Sequence, residues 1–298
     1  MSLQSLCDVP APAKLNLFLH VVGRRDDGYH LLQSVFVLID WCDTLHFERR
    51  ADGAIARHDL GAALPADDLV LRAAHALQRE SGTTLGADIS IDKQVPWGAG
   101  LGGGSSDAAS TLLALDRLWG LGWPLSRLLA VGVTIGADVP FFLGGRNAWV
   151  EGIGERLTPL PVPPHWYAVV KPPTPIATAA IFGSPLLSRD TEAAILAGFL
   201  ADVGTDGFVQ RLMQGFGRND LQPPAQAACG EVAQAARLLE ARYGNSRMTG
   251  SGSAVFARAG TAGPGHLPVA TLPDLPAGWA GRLCKGLTQH PLAGWAEG

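Results

Sequence analysis

Pro96-Trp-Gly-Ala-Gly-Leu-Gly-Gly-Gly-Ser-Ser-Asp107 is the stretch that decides the fold. Five of its twelve residues are glycine: Gly98, Gly100, Gly102, Gly103 and Gly104. Glycine lets successive backbone N–H groups curl around an anion without a Cβ in the way. The run that follows, Asp107-Ala-Ala-Ser-Thr-Leu-Leu-Ala-Leu-Asp-Arg-Leu-Trp119, reads as a helix. A helix start adds unpaired N–H groups and the positive end of a dipole. The stretch reads as a phosphate cradle and points to a nucleotide-using enzyme. A flexible Gly/Ser linker is the plain alternative, but a linker is seldom framed this tightly by a strand pattern and a helix.

Two common phosphate motifs nearly fit. Gly98-x-Gly100-x-x-Gly103 has the dinucleotide spacing, and the alternating Ala87-Asp-Ile-Ser-Ile-Asp-Lys93 before it reads as a strand. The acid expected about 20 residues on, at the end of the next strand, falls instead at Asp116, inside the helix. The P-loop spacing also matches at Gly98 and Gly103, yet residue 104 is glycine where that loop needs lysine. A cation for the phosphates must come from another segment.

Around this core the pattern is mixed. Strands are expected at Ala13–His20, Ser34–Ile39, Thr44–Arg49, Ala87–Lys93, Arg146–Val150, Trp166–Lys171, in the run that follows the Gly/Ser turn of Ser246–Arg258, and at Trp279–Leu287. Strict alternation over the first would put Lys14, Asn16 and Phe18 on one face. Helices are expected at Asp68–Glu80, Ser105–Trp119, Pro124–Val131, Thr191–Val203, Gly207–Gly217 and Gln226–Arg242. Val139–Leu143 suggests a turn, and Ala259–Pro276 a loop. The proline-dense Thr158–Pro164 marks a boundary, so two α+β domains are expected, 1–158 and 159–298, with helices on one face of antiparallel sheets.

Composition narrows the class. The 298 residues are 47% hydrophobic and 17% charged, enough for a sizeable core. A net charge of −4 offers no footprint for nucleic acid or an anionic membrane. The N-terminus does not read as a signal peptide, and no apolar run approaches a membrane span. Four dispersed cysteines form no CxxC pair, and eight histidines show no metal-site spacing. A cytoplasmic protein acting on a small molecule is expected, without zinc or disulfides, as a monomer or weak homodimer.

Two residues could supply chemistry beside the loop. Asp138, in Gly136-Ala-Asp-Val-Pro-Phe-Phe142, is a carboxylate in apolar surroundings. It is equally a candidate for an Asx-turn or a helix cap. Lys14 stands in an apolar strand, where a lysine more often reaches out to solvent. Side by side, the two would form the oriented carboxylate and cation that phosphoryl transfer requires. Tyr29, His30 and Phe182 could stack on a base, although ordinary core packing explains them as well.

Together these segments resemble the GHMP small-molecule kinases. The resemblance is carried by Pro12-Ala-Lys-Leu-Asn-Leu-Phe-Leu19, Gly28-Tyr-His-Leu-Leu-Gln-Ser34, the glycine loop, Gly136–Phe142, Arg218-Asn-Asp-Leu221 and Met248-Thr-Gly-Ser-Gly-Ser253, in family order along nearly the whole chain. The Gly-Tyr-His run and the triple glycine before Ser-Ser-Asp are similar to the branch acting on 4-(cytidine 5′-diphospho)-2-C-methyl-D-erythritol. The resemblance implies a ribosomal-S5-like N-terminal domain, a ferredoxin-like C-terminal domain and a cleft between them. It implies ATP and Mg²⁺, with the small-molecule acceptor phosphorylated on its 2-hydroxyl. It implies that Lys14 and Asp138 are the catalytic pair and that Pro96, Trp97, Gly98, Ala99, Gly100, Leu101, Gly102, Gly103, Gly104, Ser105 and Ser106 cradle ATP. Asn16, Tyr29, His30, Thr178 and Phe182 would contact the acceptor, Phe182 as the wall opposite Tyr29 and His30. The sequence assigns no Mg²⁺ ligand, though the Ser105 or Ser106 hydroxyl could serve by analogy with other phosphate loops. Trp97 departs from the smaller or more flexible side chain usual at that position, and Thr174-Pro-Ile-Ala-Thr178 from the usual run there.

Overall fold

The computed structural model describes residues 3–66, 68–194, 207–262 and 271–296. Its first two strands, β1 (Ser5–Arg24) and β2 (His30–Arg50), form a long antiparallel hairpin closed by the turn at 25–29. β3 (Ile55–Asp59) and β4 (Gly86–Asp92) extend the sheet from β2, with β3 and β4 parallel. β5 (Ala148–Glu151) pairs with β2 and with β6 (Arg156–Pro159). The second half adds β7 (His165–Lys171), β8 (Arg247–Met248), β9 (Val255–Thr261) and β10 (Ala280–Leu287). β10 pairs with β7 along its length and with β2 through Gly286 and Leu287, giving the order β3-β4-β2-β10-β7-β9-β8.

Helices α1 (Leu69–Ser81), α2 (Gly103–Trp119), α3 (Leu125–Ile135) and α4 (Val139–Gly144) share a core with alternate residues of β2, Phe36 and Leu38. Asp68 caps α1 by accepting from Leu71 N at 2.9 Å, and Gly82 ends it in the left-handed region. The intervening residues Val35, Val37 and Ile39 join a second core with Tyr167, Val169, Phe256 and Cys284. Helical residues 207–213 (α6) add Phe208 and Leu212 to that core. α5 (Thr178–Gly183), α7 (Gln222–Ala228) and α8 (Gly230–Tyr243) cover a third, against β7 and β9.

Several expectations need correction. Ser34–Ile39 and Thr44–Arg49 are one strand, not two. The polar residues between them serve distant partners: Asp40 accepts from Lys285 N, and buried Asp43 from Gln94 N and Val95 N. Val139–Leu143 is helical rather than a turn, and α3 runs on to Ile135. The helix expected at Gln226–Arg242 is two helices, broken where Cys229 turns extended. Helix 207–217 ends at 213, and 191–194 are not helical; 195–203 lie outside the described residues. Of the expected loop 259–276, the first three residues belong to β9, and 263–270 lie outside the described residues.

The alternation along β1 is also interrupted. Two of its four register shifts fall between Pro12 and Ala13 and between Asn16 and Leu19. The first puts Ala13, Leu15 and Leu17 into the second core, leaving Lys14 and Asn16 on the helix side with Phe36. The second sends Phe18 into the second core, so Leu19 lines the cavity beside Lys14 and Asn16 in its place. Bulges re-aim side chains in this way, and an alternation count cannot see them.

Candidate active site

The loop before α2 is held open by three left-handed glycines, Gly98 (φ 63°), Gly100 (φ 74°) and Gly102 (φ 70°). Between them Ala99 and Leu101 are buried anchors in the second core. Gly102 caps α2, and the first amide bonded back into the helix is that of Ser106, to Gly102 O at 3.0 Å. The N–H groups at the start of the helix are left for a ligand. A Cβ on Gly100 would lie 2.2 Å from Thr249 O, and one on Gly102 would lie 2.9 Å from the Phe142 ring. The second Gly/Ser turn, Thr249–Ser253, is thus folded against the first: Thr249 Oγ1 donates to Gly100 O at 3.3 Å and Ala254 N to Ala99 O at 3.2 Å. The Arg218–Leu221 motif holds that turn, with Asn219 Nδ2 donating to Met248 O and Gly250 O and Asp220 accepting from Val21 N.

Lys14 does not reach solvent. It is 4% exposed, its own N–H donates to Leu101 O of the loop at 2.9 Å, and its Nζ lies 3.7 Å from Asp138 Oδ2. Nζ also donates to Asn16 Oδ1 and sits 4.3 Å from the Phe36 ring centroid. Burial lowers the Lys14 pKa from the ordinary lysine value, and Asp138 opposes that shift. Asp138 occupies the N-cap position of α4 but makes no capping bond, and its side chain is 30% exposed. The cap reading therefore fails; Asp138 and Lys14 line one cavity of about 260 Å³ with Asn16, Gly100, Gly102 and Gly250. Ser105, half-buried at the start of α2, lies on the Gly136 side of the loop.

Leu32, Ile153, Thr178 and Phe182 line this cavity and also a second, larger one of about 740 Å³. The larger cavity adds Arg24, Asp27, Tyr29 and His30. Tyr29 is 61% exposed. Thr178 Oγ1 lies 2.8 Å from Ser251 Oγ of the second glycine turn. His30 and Phe182 are stacked on each other, centroids 5.0 Å apart and planes at 27°. A base between them would need about 7 Å, two ordinary contact gaps. Phe182 therefore does not stand across from His30; the two rings make one wall, and among the described residues Tyr29 stacks on neither.

Comparison with known proteins shows the family. The GHMP kinases N terminal domain matches residues 68–146 and the GHMP kinases C terminal domain residues 204–264. The chain is 67% identical over 296 residues to the 4-diphosphocytidyl-2-C-methyl-D-erythritol kinase of Methylibium petroleiphilum, covering 99% of this chain and 100% of the relative. The chain belongs to the 4-diphosphocytidyl-2-C-methyl-D-erythritol kinase family of GHMP kinases. The kinase of that name from Verminephrobacter eiseniae is 60% identical, with 99% of each chain covered. A crystal structure of 4-(cytidine 5′-diphospho)-2C-methyl-D-erythritol kinase superposes with a TM-score of 0.71 at 35% identity, covering 86% of this chain and 90% of the other. Homoserine kinase from Cytophaga hutchinsonii shares the fold, with a TM-score of 0.67 at 16% identity over 97% and 96% of the chains. The chain is thus a two-domain α+β kinase that draws on ATP, and no described helix is long and apolar enough to cross a membrane.

For a kinase of this family, the structure adds groups that the sequence reading passed over. Lys93 Nζ bridges the buried carboxylates of Asp43 and Asp107, lying 2.5 Å from the latter. Lys93 ends the strand side of the loop, and Asp107 lies in the first turns of α2, so one ammonium ties both stems. Burial raises the Asp107 pKa well above the usual carboxylate range, against the pull of Lys93. Lys93 gave no local signal, because its partners Asp43 and Asp107 lie 50 and 14 positions away. Arg189, which donates to His30 Nε2 at 3.2 Å, had no local signal at all, because its partner is 159 positions away.

Proposed function

We propose that this chain transfers the γ-phosphoryl group of ATP to the 2-hydroxyl of 4-(cytidine 5′-diphospho)-2-C-methyl-D-erythritol, a step of the non-mevalonate route to isoprenoid precursors. The observation that carries the reading is the meeting of Lys14 and Asp138 beside the glycine loop, in a cavity that shares Leu32, Ile153, Thr178 and Phe182 with the aromatic-walled one. The amides of Gly98–Ser106 would hold the triphosphate, and Pro96 and Trp97 would border the nucleotide. The acceptor would place its cytidine among Tyr29, His30, Phe182 and Thr178 and its erythritol toward Asn16. The partly exposed Asp138 carboxylate accepts a hydrogen bond from the 2-hydroxyl and orients it in line with the γ-phosphorus. As the new O–P bond forms and the bond to the β-phosphate oxygen breaks, the hydroxyl proton leaves through Asp138 and ADP departs. Lys14, largely shielded from water, holds the Asp138 carboxylate in place and offsets charge on the moving phosphoryl group.

The residues at the loop fit Mg²⁺. The hydroxyls of Ser105 and Ser106 are hard oxygen donors, and Ser106 Oγ is buried without a protein partner. They would hold the ion together with phosphate oxygens and water, and the ion neutralises phosphate charge when bound. The reading takes residues 1–158 and 159–298 as the two domains, in a cytoplasmic monomer or weak homodimer without nucleic-acid or membrane partners. Coupled ADP release should show turnover with the cytidine diphosphate ester and none with galactose, homoserine or mevalonate. Absence of turnover with the cytidine compound, or better turnover with another alcohol, would reject the assignment.

A further inference from the structure

We infer that Arg189 is a positioning residue for the acceptor: it fixes the His30 ring in one tautomer and fastens it to the Phe182 segment, building the flat wall of the large cavity. The inference rests on the reading of that cavity as the pyrimidine site. Arg189 follows α5 and is partly buried. Its Nη2 donates to Phe182 O and Ser184 O, both at 2.9 Å, and its Nη1 donates to Leu187 O at 3.1 Å. Its Nε reaches across to His30 Nε2 at 3.2 Å. One guanidinium therefore ties the α5 turn, from the second half of the chain, to the head of β2, from the first. The His30–Phe182 stack sits at that junction.

The direction of the bond decides the tautomer. A guanidinium has five N–H donors and no acceptor, so His30 Nε2 must be the acceptor. The neutral ring then carries its proton on Nδ1. Protonating Nε2 would break the bond and set an imidazolium against a guanidinium. The charged groups around the ring are Arg189, Arg24 at the end of β1, and Asp27 in the turn, which is paired with Arg25 at 2.8 Å. Burial first, then Arg189 and Arg24, hold the His30 pKa below its ordinary value. The result is an uncharged imidazole backed by a benzene ring, a surface suited to one face of a neutral pyrimidine. The four donations use Arg189 as a planar fork, a geometry that a lysine ammonium does not reproduce.

Long-range ¹H–¹⁵N NMR of the histidine rings, with steady-state kinetics on Arg189→Met and Arg189→Lys, tests this. In the wild type His30 should have Nδ1 protonated and Nε2 bare at neutral pH. In Arg189→Met the Nε2–H form should appear and the His30 pKa should rise by about 0.5 or more. KM for the cytidine substrate should rise about tenfold, with kcat and KM for ATP within about twofold, since the lost contact orders the wall and not the reaction centre. Arg189→Lys should keep the low pKa and still raise that KM severalfold. An Nε2-protonated ring in the wild type overturns the inference without need of any variant, as does an unchanged His30 signature in a folded Arg189→Met. If the NMR signature moves as expected while the wild type ignores the cytidine compound, the role of Arg189 stands and the pyrimidine reading of the cavity falls.

Discussion

At the scale of single residues, a buried ammonium stands next to a partly exposed carboxylate. Taking Lys14 out of water costs free energy, and the cation persists because Asp138 and Asn16 are placed to receive it. Burial lowers the Lys14 pKa and Asp138 raises it, so the charge on Lys14 is lost at a lower pH than for an ordinary lysine. If the charged form is the active one, kcat should fall as pH rises through that lowered value. Replacing Asp138 by Asn removes the group that favours the cation, so in the residual activity this alkaline limb should move to still lower pH. A kcat–pH profile of both enzymes between pH 7 and the ordinary lysine range measures the shift; limbs that coincide, or one that moves upward, would mean that Lys14 does not report on Asp138.

At the scale of elements, the loop and the segments that brace it set the site. Gly100 should tolerate no side chain, because its φ is positive and a Cβ would meet Thr249 O at 2.2 Å. Gly104 lies in the helix with only Leu69 Cδ1 near its Cβ position, at 3.7 Å. Thermal unfolding should find Gly100→Ala destabilised by at least about 2 kcal/mol and Gly104→Ala unchanged or stabilised by up to about 1 kcal/mol. Equal effects would show that the two turns do not touch as described. Beneath the loop, Lys93→Met removes the ammonium that both buried carboxyl groups contact and should cost about 3–5 kcal/mol in urea unfolding. Asp107→Asn should cost less than about 1 kcal/mol, because Asp107 is the carboxyl that burial drives toward its neutral form. The reverse order would contradict the charge assignment. Much of this was legible in the sequence. The glycine loop, the helix near Asp68–Glu80 and the strand before the loop follow from local pattern. The hairpin length, the register shifts in β1 and the break at Cys229 were not, because each is fixed by partners remote in sequence. The same division holds in the site: residues on sequence motifs could be named, whereas Lys93 and Arg189 act through partners that only folding brings near.

At the scale of the molecule, the two halves do not keep separate interiors. Leu15, Phe18 and Val37 from the first half share a core with Tyr167, Val169 and Phe256 from the second, and β10 pairs with both β2 and β7. Urea unfolding followed by tryptophan fluorescence and by far-ultraviolet circular dichroism should therefore give one coincident transition; two separated transitions would mean that each half holds its own core. The shared core also fixes the reaction centre, since Lys14 lies on β1, Asp138 before α4, and Gly250 on the turn from the second half. The most direct test is a double-mutant comparison of kcat with the cytidine substrate for Lys14→Met, Asp138→Asn and the combined variant. If the pair acts as one unit, each single change should lower kcat by about a hundredfold or more, and the combination should be no slower than the slower single variant. Losses that multiply in the double variant, or a single variant near wild-type rate, would contradict the shared reaction centre.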